Sequence, residues 1–266
     1  MKDFKYEFGI VLSGGGARGF AHLGVLQALN EAGIFPDVIS GTSAGALVGV
    51  LYCDGYQPKE ILKIMKTSSR LNYMRPTLPR YGVLQISGIS RILEQNLRAK
   101  KFEDLRIPLF VAATDLNHGH ITYFSKDELI TPVIASSSIP VLFNPVIIND
   151  IHYVDGGVMD NMPVLPVEND CRFLIGSFVN PTGYTNKFAS IIDIAERTFM
   201  LNMYKEALEK SGKFDLYVAP PELRNFSILD PEKAEEIFNI GYFATKTQIL
   251  NSDILKRFFP GSDHQE

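Results

Sequence analysis

The stretch "FGIVLSGGGARGFAHLGVLQAL", Phe8–Leu29, decides the fold. A short apolar run, Phe8–Leu12, meets a glycine turn, and a helical pattern follows from about Ala17 to Glu31. Unbroken apolar runs of this kind suit strands covered on both faces. Ala21, Val25, Ala28, Leu29 and Ala32 then recur at helical spacing on one face. The same order returns in "DVISGTSAGALVGVLY", Asp37–Tyr52, with Val38–Ser40 as strand and Ala44–Leu51 as helix. Alternation of strand and helix is the signature of an α/β layer fold.

Working outward, further strands are expected at Leu109–Thr114, Ile121–Phe124, Val146–Ile148, His152–Val154, Phe173–Phe178 and Asp215–Val218. Phe188, Ile191, Ile192, Ala195 and Phe199 recur at helical spacing within Phe188–Glu209, and Ala234, Ile237, Phe238, Gly241 and Tyr242 do so after Pro231. These stripes are expected to pack in the core. The 266 residues suit a single α/β domain, with the motifs in about 8–180 and a helical part at about 186–260. "RLNYMRPTLPRYGVL", Arg70–Leu84, is apolar but interrupted by Pro76 and Pro79. It is expected to be a loop packed on the body or a flap over an apolar site.

Composition narrows the function. Net charge is -4, and no Lys/Arg run exceeds Lys100–Lys101, which argues against nucleic acid. Cys53 and Cys171 make neither a disulfide framework nor a zinc spacing and are expected to be small buried hydrophobes. "MKDFKYEF" lacks the apolar segment of a signal peptide, and no apolar run approaches ~18 residues. The expectation is a soluble, cytoplasmic protein.

Gly14-Gly15-Gly16-Ala17-Arg18-Gly19 satisfies G-x-G-x-x-G, a dinucleotide fingerprint. That fingerprint needs an acidic residue near the end of the next strand, whereas Asp37 stands at its start. A glycine turn opening a helix welcomes any anion, including a short-lived one. Gly41-Thr42-Ser43-Ala44-Gly45 satisfies G-x-S-x-G, in which Gly41 and Gly45 flank a serine held at a sharp strand-to-helix elbow. The alternative is a serine that merely caps a helix. A serine nucleophile needs a base, usually histidine. None of His22, His118, His120, His152 and His264 stands where a triad would want it, so Ser43 is inert or its base is another group.

"YVDGGVMDNMPV", Tyr153–Val164, and "ASSSIPVLFNPV", Ala135–Val146, complete the pattern. With G-G-G-x-R-G and G-T-S-A-G, in this order over residues 9–165, the chain resembles the patatin-like phospholipases. The resemblance implies a three-layer fold whose central, mainly parallel sheet is covered by helices. It also implies a Ser–Asp dyad without histidine: Ser43 as nucleophile and Asp155 as base, with Gly14, Gly15, Gly16 and Arg18 as the oxyanion loop. Arg18 would orient that loop, neutralise a phosphate headgroup or pair with an acid. A useful base calls for a buried Asp155 within reach of the Ser43 hydroxyl. Ser136, Ser137 and Ser138 are expected to bond backbone groups, and Asn161 with Pro163 to start a helix.

The implied activity is hydrolysis of carboxylic esters in phospholipids, lysophospholipids or acylglycerols. The lipid would be met at a membrane or micelle surface, with the protein peripheral there, and with no metal or cofactor. Three alternatives stand beside it: an esterase or thioesterase for small soluble substrates, a nucleotide-binding module, and a catalytically silent regulatory protein.

Overall fold

Strand β1 (Tyr6–Leu12) alternates its side chains between two apolar layers. Ile10 and Leu12 enter one, Val11 the other. β2 (Val38–Thr42) does the same, with Ile39 facing the first layer and Val38 the second. Period-2 alternation with apolar residues on both faces requires cover on both sides. The computed structural model describes residues 3–69, 75–76, 82–85, 87–186, 188–228, 231–251, 253 and 257–258.

The remaining strands of the main sheet are β5 (Leu109–Asp115), β6 (His120–Phe124), β8 (Val146–Ile148), β9 (Ile151–Asp155), β10 (Cys171–Ser177) and β11 (Leu216–Val218). They run in the order β11-β10-β1-β2-β5-β9-β8, with β6 also paired to β5. β11, β10, β1, β2 and β5 are mutually parallel, while β9 and β6 run antiparallel to β5. The eight strand positions expected from sequence are all present. A second small sheet joins β3 (Arg75–Pro76), β4 (Gly82–Gln85) and β7 (Val141–Phe143), none of which the apolar pattern revealed. The rest of Arg70–Leu84 lies outside the described residues.

One layer of helices holds α1 (Phe20–Glu31), α2 (Ala44–Cys53), α3 (Pro58–Ser69), α4 (Ser87–Asn96), α5 (Ile130–Ser136) and α7 (Ala234–Asn251). α1 and α7 cross closely: a Cβ on Gly24 would lie 2.0 Å from the Phe238 carbonyl oxygen. This contact ties the C-terminal helix to the glycine-turn helix. α6 (Ile191–Lys210) covers the opposite face, where Ala207 packs with Val11, Leu174 and Phe178.

α6 corrects one expectation. The helix starts at Ile191 because Ser190 and Asp193 form a capping box. Its forecast core stripe largely faces out, with Ile191 82% and Phe188 48% exposed. The buried face is instead Met200, Met203 and Ala207. Cys53 and Cys171 are free and buried.

The strand order reverses at β1, whose neighbours are β2 and the much later β10. Crevices at such a switch point, outside the carboxyl ends of the strands, are where α/β sheets bind ligands. The glycine turn and the Ser43 turn both leave from those ends.

Candidate active site

Ser43 connects β2 to α2 with φ 52 and ψ -118, a backbone region a non-glycine residue rarely occupies. Such strain persists where the surroundings over-determine it. Here the Ser43 amide donates to Ser136 Oγ at 2.8 Å, and the Ser43 carbonyl accepts the Leu47 amide at 3.0 Å. The turn also presses onto β1: a Cβ on Gly45 would lie 2.2 Å from the Leu12 carbonyl oxygen. Only glycine at 45 permits that approach.

Asp155 reaches the same place through sheet register. Thr42 of β2 pairs with Ala112 of β5, and the adjacent Ala113 pairs with Asp155 of β9. Strands lie roughly 4.8 Å apart, so the end of β9 comes level with the serine turn. The Asp155 amide donates to the Ser138 carbonyl at 2.9 Å, and Thr114 Oγ1 donates to the Asp155 carbonyl at 3.0 Å. The carboxyl is 1% exposed. It accepts the Gly157 amide at 2.8 Å, and the Ser43 side chain lies close enough to draw its pKa down. Burial pushes the carboxyl up to about 7, against the lowering pull of Ser43 and Gly157.

The glycine turn is braced from three sides. Asn161 Oδ1 accepts the Gly14 amide at 3.0 Å, and Asn180 Nδ2 donates to the Gly14 carbonyl at 2.6 Å. Ser13 Oγ donates to the same carbonyl and accepts the Val179 amide. Asn161 is itself held by Glu206, whose carboxylate accepts the Asn161 amide at 2.7 Å and pairs with Lys210 at 2.5 Å. Lys210 also pairs with Asp160 at 2.6 Å. Asn161 therefore starts no helix, contrary to the sequence expectation; its side chain serves Gly14 instead.

Of the four residues expected in an oxyanion loop, two have their amides engaged. Gly14 donates to Asn161, and Arg18 donates to the Gly15 carbonyl at 3.1 Å. The amides of Gly15 (φ 154) and Gly16 (φ 54) have no acceptor among the described residues. Gly16 and Ala17 share a cavity wall with Ser43. The Arg18 guanidinium lines a different cavity, and its Nε donates to the Phe226 carbonyl at 2.8 Å. That bond fits loop orientation more closely than donation toward Ser43.

The cavity at Ser43 measures about 150 Å³. Its walls are apolar, among them Phe20, Leu47, Leu51, Ile92, Leu93 and Phe143. The Ser136, Ser137 and Ser138 hydroxyls serve backbone groups: the first accepts the Ser43 amide, the others donate to Val133 and Ile134 carbonyls.

No histidine hydrogen-bonds to Ser43 among the described residues. His22 is fully buried between the Ser13 carbonyl and Ser177 Oγ, and burial lowers its pKa to about 4. His118 and His120 gather around Asp115 at the β5–β6 turn, where donor atoms of all three lie within 4.8 Å. Sequence reading named no metal ligands there, because their grouping depends on the hairpin closing. His152 is exposed on β9, and His264 lies outside the described residues. Asn180 and Glu206 also escaped sequence reading, since neither stands in a motif and each acts only once the fold brings it to the glycine turn.

A family model described as patatin-like phospholipase matches residues 10–167, the span holding both turns and Asp155. The chain belongs to the patatin-like phospholipase family. This patatin-like chain is 30% identical over 290 residues to Lysophospholipase NTE1 of Candida glabrata, covering 96% of the chain and 17% of that relative. It is 27% identical to human patatin-like phospholipase domain-containing protein 6, covering 88% of the chain and 19% of that relative. The chain thus spans less than a fifth of the length of these curated relatives. Among solved structures, VipD from Legionella pneumophila superposes with a TM-score of 0.55 at 15% identity, covering 96% of this chain and 67% of that one. That likeness shows the shared fold. Among the described residues, no helix is long and apolar enough to cross a membrane.

Proposed function

We propose that this domain hydrolyses carboxylic esters of lipids, with lysophospholipid as the substrate class, through an acyl-enzyme on Ser43. One observation carries the reading: a strained serine, close to a buried carboxyl, opens into an apolar cavity that Gly16, with its free amide, also lines. The names of the two relatives agree with a lipid substrate.

The chemistry follows from the groups. Asp155 accepts the Ser43 proton as Oγ attacks the ester carbonyl. The carbonyl oxygen gains negative charge, which the Gly15 and Gly16 amides receive; one such donor is typically worth on the order of 10²–10³ in rate. The tetrahedral intermediate expels the alcohol, which takes its proton from Asp155. Water then loses a proton to Asp155 and attacks the acyl group. The fatty acid departs, and Ser43 recovers its proton. A carboxyl near pH 7 can both accept and return a proton, which one near 4 does poorly. The apolar walls hold the acyl chain, and their burial of methylenes favours longer chains by roughly 0.8 kcal/mol per CH₂.

No comparable observation favours the alternatives. A dinucleotide would need an acid at the end of β2, whereas Asp37 precedes that strand and accepts the Glu7 and Phe8 amides. The test is hydrolysis of a series of lysophosphatidylcholines and short soluble esters differing in acyl length. Rising kcat/KM with chain length supports the lipid reading. Equal or falling values with length would assign small soluble esters instead, and no turnover of any ester would overturn the proposal.

A further inference from the structure

A second cavity of about 600 Å³ shares no lining residue with the one at Ser43. Three arginines are among its lining residues: Arg18, Arg197 and Arg224. Among the described residues none of the three forms a salt bridge. Arg18 is 7% exposed, and its Nη1 is buried without a hydrogen-bond partner. Its electrostatic partner is Glu196, with which it forms neither an ion pair nor a hydrogen bond, whereas proteins ordinarily pair a buried cation directly. Arg18 Nε holds the Phe226 carbonyl and Arg197 Nη2 the Gly183 carbonyl, so both heads are fixed while keeping free N–H groups.

Two acids share the lining, Asp193 and Glu196. Asp193 is committed elsewhere: its carboxylate accepts the amides of Ala189 and Ser190 and the Ser190 hydroxyl at the start of α6. Glu196 is half-buried and holds no hydrogen bond to any of the arginines among the described residues. The wall therefore carries an excess of positive charge in a protein whose net charge is -4.

We propose that this second cavity binds a phosphate group, with Arg18, Arg197 and Arg224 as its donors. A guanidinium fork matches two phosphate oxygens, and three arginines lining one cavity can meet a tetrahedral anion better than a planar carboxylate. The phosphate arrives either free or on a lipid headgroup. The rim holds Tyr184, 93% exposed, and Phe188, which would lie against lipid if a headgroup is the source. The site is separate from the ester-cleaving cavity and does not depend on the hydrolase reading.

Binding is read without activity, using the protein and its Arg197→Gln/Arg224→Gln variant. Calorimetric titration with inorganic phosphate in low-salt buffer tests the free anion. Flotation with phosphatidylcholine vesicles, with and without phosphatidic acid, tests the headgroup. Saturable phosphate binding that the double variant weakens at least about tenfold supports a free phosphate. Flotation that needs phosphatidic acid and fails in the double variant supports a lipid headgroup. Arg224→Gln alone, at an exposed position, should weaken binding in the same direction and keeps the test sound if the double variant folds poorly. No binding by either route up to about 10 mM phosphate, or equal binding by wild type and Arg224→Gln, overturns the proposal. Ser43→Ala should bind as wild type does, so a failure here is distinct from a failure of ester hydrolysis.

Discussion

Replacing Asp155 by Asn removes a proton-binding site and almost no volume. The carboxyl is buried, and its pKa is raised from 3.8 to about 7. A group that holds its proton more tightly when folded stabilises the fold at low pH and loses that contribution as pH rises through the folded value. The shift of about 3 units corresponds to about 4 kcal/mol once both states are ionised. About 1.5 kcal/mol of this is already lost at pH 5, which leaves about 2.5–3 kcal/mol to lose between pH 5 and pH 8.5. Asn keeps an oxygen for the Gly157 amide but cannot ionise. Urea unfolding of both proteins across that range should show the variant gaining on wild type by that amount, with the change complete near pH 8. The same substitution should abolish nearly all ester hydrolysis, while wild-type kcat/KM rises through about pH 7 as the base ionises. Parallel stability curves, or a variant with undiminished turnover, would refute the reasoning.

His22 should act with opposite sign. Its folded pKa lies near 4 against 6.5 for a free imidazole, so stability falls as pH drops through that window, by up to about 3 kcal/mol. His22→Asn should flatten this acid limb in the same unfolding assay, and an unchanged limb would contradict a neutral buried ring. Gly15→Ala sets a Cβ 2.4 Å from Val179 Cγ2 at φ 154, which displaces the amide. Its kcat should fall by about 10²-fold or more, and kinetics within twofold of wild type would remove Gly15 from the oxyanion site. Asn161→Ala frees the Gly14 amide and should lower kcat more than it raises KM; a change in KM alone would argue against a role in holding the loop. His152→Ala should leave turnover within about twofold, because general acid–base groups contribute about 10²–10⁴-fold and His152 is expected to contribute none.

The two turns were legible because each is local. Strand, glycines and helix follow one another within a few residues, and the steric need for glycine at 45 is written beside Ser43. Asp155 is different. Its approach to Ser43 depends on the registers of β2, β5 and β9, which no local pattern reveals, so only the motif resemblance pointed to it. Asn161 looked like a helix cap because capping and bracing both satisfy an orphan amide; which amide it meets is a tertiary matter. Arg18 sits inside the glycine motif yet lines a different cavity from Gly16 and Ala17, since the 3-10 turn at Gly16–Gly19 rotates successive residues onto different faces. The apolar period of α6 showed a helix and misplaced its buried side, because Met200 and Met203 pack with Ile228 and Ala207 with the sheet while Ile191 faces out.

The central claim is that Ser43 is made nucleophilic by a buried carboxyl. The most direct measurement is labelling by a fluorophosphonate, with the adduct located by peptide mass spectrometry. Expected is one phosphonyl group per chain on Ser43, lost in Ser43→Ala and formed at least about 10²-fold more slowly in Asp155→Asn. An unlabelled protein, an adduct on another residue, or equal labelling rates with and without the Asp155 carboxyl would contradict it.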